Sequence, residues 1–243
     1  MSGVAARALL RRARSAALAT ALRDAGGDEA EGRRGPRPYA SLVTFACDTD
    51  ASPILLLSDL SDHTRNLAGD DRACLLVEAA SRRVNPQTGP RVSLVGRIVK
   101  SANGRHRRRF LARHPGAALY AGFADFNVYR MRLERAHFVG GFGRAAWLEA
   151  ADVLDEPEAA RAIAACEPAI LADVHDRRAD ALDAAAQRHL ARPGAGWRLV
   201  AVDPEGCDVM RRGRIGRIDF RTRAASADAL AFALAQALAP PDA

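Results

Sequence analysis

At 243 residues, with 49% hydrophobic and 27% charged side chains, the chain is long enough to bury one large core or two smaller ones without a disulfide or metal staple. Its 36 Lys+Arg against 29 Asp+Glu leave a net charge of +7, yet Lys100 is the single lysine and no nucleic-acid motif accompanies the arginines, so no nucleic-acid partner is expected. No uncharged apolar run reaches membrane-spanning length and the arginine-bearing N-terminus lacks an apolar signal core, so the chain reads as a soluble, unprocessed, cytoplasmic protein with no membrane partner.

The first 22 residues have two textures. Ala5 to Arg14 carries alanine, leucine and arginine at helical propensity, and Ser15 to Leu22 is small and apolar, so a helix feeds a first strand. Gly26 to Pro38 (GGDEAEGRRGPRP) is charged, rich in Gly and Pro and aperiodic, which predicts a mobile hairpin loop. Four short apolar or alternating runs follow: Tyr39 to Cys47, Pro53 to Ser58, Arg72 to Ala79 and Pro90 to Val99. No helix-length segment separates them, which favours an antiparallel barrel over a parallel sheet. Asn103 is placed to cap a helix over Arg105 to His114, ended by Pro115, and its run Arg105, His106, Arg107, Arg108, Arg109 reads as a solvated face. Strands resume over Phe126 to Glu134 and Ala136 to Gly141 and close the barrel, so a first domain covers residues 1–153.

Past Pro157 the texture changes, and residues 157–243 read as a second, smaller domain. The alanine-rich segment Pro168 to Leu190 places Leu171, Val174, Leu182 and Ala185 at helical spacing, and Arg192 to Gly196 breaks it. Trp197 to Val202, Cys207 to Arg211 and Arg214 to Phe220 are three short strands joined by Asp203-Pro204-Glu205-Gly206 and Arg212-Gly213 turns. Ser226 caps a last helix with Leu230, Leu234 and Leu238 in one stripe. The fold class is therefore α+β, a β-barrel followed by a small α-β-β-β-α domain.

Few motifs carry chemistry. The four cysteines, Cys47, Cys74, Cys166 and Cys207, are far apart with no histidine at zinc spacing, so they read as reduced thiols and no metal site is expected. Gly141, Gly143 and Ala146 fit a dinucleotide fingerprint, but they follow several strands with no crossover helix, and a glycine-rich bend is the better reading. No triad-like grouping, HExxH or P-loop occurs. His137 alternates with apolar residues as a packed strand histidine does, and His114 beside Pro115 marks a helix end. What stands out is Ser58 to Asn66 (SDLSDHTRN), a loop whose hydroxyls, His63 and Arg65 are suited to wrap an anion such as a phosphate.

In order along the chain, LSDLSDHTRNLAGDDR (57–72), RVSLVGR (91–97), RFLARHPGAALY (109–120), GFADFNVYR (122–130) and RAHFVGGFGRA (135–145) resemble the consecutive motifs of pyridoxamine 5′-phosphate oxidase-like FMN-binding split barrels of the haem-utilisation branch. The resemblance spans roughly residues 5–150, and LADVHDRRADAL with VDPEGCDVMRRGRIGRIDF is similar to the small C-terminal domain that accompanies that branch.

That resemblance implies an FMN-binding split barrel, homodimeric, with the cofactor cleft at the interface and open to a small-molecule ligand. The family's phosphate-holding positions fall on Ser61, His63, Thr64 and Arg65, and its cleft-lining strand positions on Arg91 and Ser93. It implies a flavin-dependent oxidoreductase in which the isoalloxazine does the chemistry and no catalytic side chain is required. Haem is the alternative cofactor, for a haem-binding or haem-degrading protein, and a non-catalytic regulatory protein that kept the fold is a further alternative. The chain ends ALAPPDA where pyridoxamine-phosphate oxidases carry an arginine motif, so vitamin B6 oxidation is not expected. No histidine follows His189, and Asp173 and Arg178 stand where relatives often carry histidines, so a haem ligand from the tail is not expected either.

Overall fold

The computed structural model describes residues 2–23, 37–81, 83–141 and 143–240. The expected loop over 26–38 lies almost wholly outside the described residues. Two compact units are present, Met1–Phe110 with Ala117–Leu154, and Leu111–Gly116 with Asp155–Ala243. Among the described residues no helix is long and apolar enough to cross a membrane.

The first unit runs α1 (Ser2–Arg12), β1 (Ser15–Ala21), β2 (Pro38–Cys47), β3 (Pro53–Ser58), α2 (Asp62–Gly69), β4 (Arg72–Glu78), β5 (Arg91–Lys100), α3 (Gly104–Arg113, whose last three residues count with the second unit), β6 (Phe126–Val139), β7 (Ala145–Glu149) and α4 (Ala150–Val153). The strands form one antiparallel sheet ordered β3-β2-β1-β4-β5-β6-β7, closed into a six-stranded barrel by a β3–β6 pairing. Alternation fills the interior: Ala16 and Leu18, Val43 and Phe45, Leu75 and Val77, and Val92, Leu94 and Ile98 all point inward. The apolar run of β3 (PILLLS) is buried on both faces, as a continuous rather than alternating pattern requires.

Strand β6 shows how the barrel splits. Its first five residues, Phe126 to Arg130, pair with β3, whereas Arg135 to Val139 pair with β7 on the same edge. It was expected as two strands broken at Arg135 and is one strand of 14 residues. The reason is a bulge: Val95 faces Arg135 while Gly96 faces Leu133, so Glu134 is the extra residue, and Glu134 and Arg135 are both exposed. Gly96 is needed at that crossing. A Cβ there would overlap the Arg132 carbonyl oxygen and stand 3.1 Å from the Glu134 nitrogen. The glycine cluster is the turn between β6 and β7, with positive φ at Gly141 and Gly143, and it opens no βαβ unit.

Two further expectations change here. The first helix begins at Ser2 and stops at Arg12, held by Arg7 donating to the Val153 carbonyl (2.9 Å) and Arg11 to that of Thr49 (2.8 Å). The SDLSDHTRN segment is a loop only as far as Ser61, which caps α2 through its carbonyl, accepting from the Thr64 and Arg65 N–H groups at 3.1 Å.

The second unit carries α5 (Pro157–Arg177), α6 (Ala179–Leu190), the meander β8 (Arg198–Asp203), β9 (Gly206–Arg211), β10 (Arg214–Asp219), and α7 (Ala227–Leu238). Two helices precede the sheet where one was expected. The first starts with Pro157 at its N-terminal position and continues through Pro168, burying Ala159, Ala160, Ile163 and Val174, and the break falls at Arg178. Ser226 caps α7 by accepting from the Ala229 N–H at 3.2 Å. Arg217 is buried among carboxylates of Asp203 (2.7 Å), Asp208 (3.5 Å) and Asp219 (3.0 Å). Burial would lower its pKa, and the surrounding negative charge raises it well above the usual arginine value.

Candidate functional site: the outer face of the barrel

The strand registers align one residue from each of six strands on the outside of the barrel. Leu42 (β2) faces Ala17 (β1), Ala17 faces Leu76 (β4), Leu76 faces Ser93 (β5), Ser93 faces His137 (β6) and His137 faces Trp147 (β7). Several members are well exposed: Leu42 at 79%, Trp147 at 58% and Leu76 at 39%. Flanking outward pairs are Ala19 with Cys74, Cys74 with Val95, and Glu78 with Arg91. The row winds round the closed barrel, and its apolar neighbours Leu42, Ala17 and Leu76 on β2, β1 and β4 form an exposed apolar patch of the kind that marks a binding surface.

At the β2–β1–β4 end of this row the face deepens into a groove of about 590 Å³ between the end of α1 and β4, lined by Arg12, Arg14, Ala17, Leu42, Leu76 and Glu78 among others. This volume is in the range of cofactor pockets. The groove exists because β1 offers only small side chains, Ser15, Ala17 and Ala19, on this face between the leucines of its neighbours.

On this face burial pushes the Cys74 thiol up, with the Ser93 hydroxyl acting in the opposite direction. Arg91 donates to the Gln87 (3.2 Å) and Gly89 (3.3 Å) carbonyls at the start of β5. His137 stacks against Trp147, with centroids 4.9 Å apart and planes tilted by 39°, and the Arg135 guanidinium lies over the same indole at 4.6 Å. His137 is thus a strand histidine as expected, but it stands half-buried on the outer face and is not packed in the core.

The predicted site residues fall into two groups. Arg91 and Ser93 belong to the outer face. Ser61, His63, Thr64 and Arg65 gather at the start of α2, which packs against β1 and β2 from the other side: His63 Nδ1 lies 3.1 Å from Ser41 Oγ, and Ser41 alternates with the outward Ala40 and Leu42. Ser61 Oγ donates to the Ser58 carbonyl (2.7 Å), so the Thr64 hydroxyl donates to Ser61 (2.8 Å). Arg65 is exposed and 3.7 Å from Asp62. Burial lowers the His63 pKa against the opposing charge of Asp62. Within one chain the two groups do not line a common site.

The Arg105–Arg109 run of α3 is solvated only in part: Arg108 is exposed, but its neighbours turn inward. Arg109 and His106 are only 5% and 4% exposed. Buried Asp48, in the β2–β3 turn, collects them: Arg105 binds it through two nitrogens (3.1 and 2.8 Å), His106 Nε2 lies at 3.0 Å, and Arg109 donates to the neighbouring Cys47 carbonyl at 3.0 Å. Burial alone would raise the Asp48 pKa; the hydrogen bonds from His106 and Arg105 and the charges of Arg109 and Arg105 outweigh it and hold the carboxyl far below its usual range. Ser101 Oγ lies 2.7 Å from His106 Nδ1, so a Ser101–His106–Asp48 line forms that the sequence did not announce. It is structural, because Asp48 is already neutralised by Arg105 and the imidazole is sealed from substrate.

A closed six-stranded antiparallel barrel whose longest strand splits its pairing between two neighbours is the split barrel of the pyridoxamine-phosphate-oxidase-like fold. A family description, CREG β-barrel, matches residues 2–155, and the chain belongs to that family. The chloroplastic haem oxygenase HOZ of Arabidopsis thaliana is 35% identical over 111 residues, 44% of this chain and 33% of that protein, so the chain spans about a third of its length. Among solved structures, a protein of unknown function from Agrobacterium tumefaciens superposes with a TM-score of 0.75 at 26% identity, covering 96% of this chain and 93% of that one. A haem-binding protein from Mycobacterium smegmatis shares the fold, with a TM-score of 0.56, 24% identity, and 98% and 96% coverage.

Proposed function

We propose that the outer face of the barrel binds haem, in a cleft completed by a second copy of the chain. The observation that carries this reading is the groove in which the apolar neighbours Leu42, Ala17 and Leu76 meet Arg12 and Arg14. A porphyrin needs apolar side chains against its macrocycle and guanidinium donors for its propionates, and the groove supplies the first at Leu42, Ala17 and Leu76 and the second at Arg12 and Arg14. The HOZ relative supports haem as the cofactor, and the haem-utilisation branch as the place of this chain within the split barrels. A second copy follows from the exposed leucines: one wall of apolar residues binds a flat ligand on one side only, and a symmetric partner would cover the other. When bound, haem supplies redox and O₂ chemistry; the chain's own residues bind and orient it and exclude water.

FMN is the competing cofactor. Its phosphate would lie at the start of α2, where Arg65 is exposed and the hydroxyls of Ser61 and Thr64 are engaged with each other. Reaching Arg91 and Ser93 as well would require the second copy.

Titration of the purified chain with haemin and, separately, FMN tests the assignment. Saturable haemin binding is expected, weakened roughly tenfold or more by Leu76→Arg, which puts a charge into the apolar wall of the groove. Leu42→Arg should shift the protein from dimer to monomer in light scattering. Stoichiometric FMN binding that is lost in Ser61→Ala/Arg65→Ala, with no haemin binding, would overturn the haem reading. Reductant in air then separates a haem-degrading protein, which loses the Soret band, from a non-catalytic binder, which keeps it.

A further inference from the structure

We propose that the tip of the β9–β10 hairpin in the second unit is a docking surface for the phosphate backbone of double-stranded DNA. This goes beyond the haem reading and does not depend on it.

Four arginines gather at the tip. Arg211 ends β9 and Arg214 begins β10, directly opposite each other, and Arg212 and Gly213 form the two-residue turn between them. Arg192, in the segment after α6, reaches the hairpin by donating to the Ile215 carbonyl at 3.2 Å. Arg211 reaches back to that segment: it donates to the Pro193 carbonyl at 2.8 Å, and its guanidinium lies over the Trp197 ring, 4.9 Å from the centroid. Arg192, Arg212 and Arg214 are exposed and Arg211 is half-buried. Among the described residues none of the four is ion-paired, whereas Arg178 is held by Asp173 (2.9 Å), Arg223 by Asp155 (2.6 Å) and Arg217 by three carboxylates.

The hairpin carries strain that a structural role does not explain. Like charges directly across a strand pair repel, and Arg211 and Arg214 form the last pair of the ladder. The turn has positive φ at both central residues, 50° at Arg212 and 76° at Gly213. Asn-Gly or Asp-Gly suits such a turn, whereas an arginine at its first position is strained. An aspartate there would also relieve the charge. Local rules broken together at one exposed place mark function rather than folding.

The chemistry of the tip selects the partner. Guanidinium forks bind phosphate through paired N–H donors. The exposed residues around them are Pro193, Gly194, Ala195, Gly196 and Gly213. They include no large apolar side chain to anchor a protein partner and no aromatic ring on which unpaired bases could stack. An exposed turn also has no walls to enclose a small anion. A duplex asks for neither anchor nor wall: it presents closely spaced phosphates along its whole length and is held by charge, so recognition needs no sequence motif.

The test uses the full chain and the fluorescence anisotropy of a short labelled DNA duplex of mixed sequence, titrated over a range of salt. Saturable binding is expected, weakening as salt rises. Arg212→Asn/Arg214→Ser should bind roughly tenfold or more weakly and lower the slope of log affinity against log salt by about two. Its melting temperature should equal or exceed that of the wild type, because asparagine suits the turn and a like-charge pair is gone. Arg161→Ser/Arg221→Ser removes the same charge from exposed positions elsewhere in the second unit and should keep most of the affinity. Equal losses in the two double variants would reduce the binding to net charge and overturn the assignment, as would no binding by the wild type. A tip variant that melts well below the wild type would make these arginines structural and overturn it too. Tighter binding to poly-glutamate than to the duplex, lost in the tip variant, would overturn the choice of DNA in favour of an acidic protein.

Discussion

Replacing Asp48 with asparagine tests the claim that the arginines of α3 are structural. The side chain keeps its shape and one acceptor oxygen, so packing is preserved, but the negative charge that faces Arg105, His106 and Arg109 is removed. Asp48 and His106 are almost fully buried and Arg105 is only a quarter exposed, so solvent cannot compensate well. Breaking a buried ion pair by removing one partner costs about 3–5 kcal/mol. Because asparagine keeps some of the hydrogen bonding, the lower end, about 3 kcal/mol, is expected, a factor of roughly a hundred in the folding constant of the barrel. Native-state hydrogen exchange is the appropriate assay, since it reports β2, β3 and β6 amides separately from those of the second unit. The wild type should also show a pH dependence that the variant lacks. The folded Asp48 pKa is depressed, so its stabilisation is present above the unfolded value of 3.8 and is lost as pH falls below it toward the much lower folded value. A loss under about 1 kcal/mol, with the acid slope retained, would refute the network and return the arginines to a solvated face.

Gly96→Ala should destabilise the barrel by about 1–3 kcal/mol in urea denaturation, because the new methyl has to displace the Arg132 backbone at the β5–β6 crossing; an unchanged midpoint would mean that the strands part freely there. His63 has a folded pKa below its ordinary 6.5, so it favours folding above that pH and its contribution is lost as pH falls through the folded value. Melting temperatures measured across pH 5–7 should therefore slope less in His63→Gln than in the wild type, and equal slopes would count against the burial of the ring under Ser41.

The barrel was legible where one strand carries its own pattern. Strand β3 was read to its ends because PILLLS is wholly apolar and bounded by turn residues, a local signal. Strand β6 was divided because its bulge sends Glu134 and Arg135 outward in succession, which in one dimension looks like the end of a strand. In sequence α2 reads as a loop because its buried polar residues are satisfied from far along the chain: Asn66 donates to Thr20 at 3.0 Å and accepts from the Arg23 N–H at 2.9 Å. The α3 arginines were misplaced for the same reason, since Asp48 is remote in sequence and periodicity cannot say whether a charged face meets water or a carboxylate.

The candidate site depends still more on pairing. Alternation marks Ser93 and His137 as members of strands, but only the register makes them neighbours, and only the insertion of β1 between β2 and β4 brings Leu42 within reach of Leu76. The alanines of β1 look uninformative in sequence, a weak strand of small residues. In the barrel their small size on the outer face leaves a groove between two leucine-bearing strands, where valines of ordinary strand composition would fill it. The small, apolar texture that marks Ser15 to Leu22 as the first strand is thus also the property that gives this face room for a ligand.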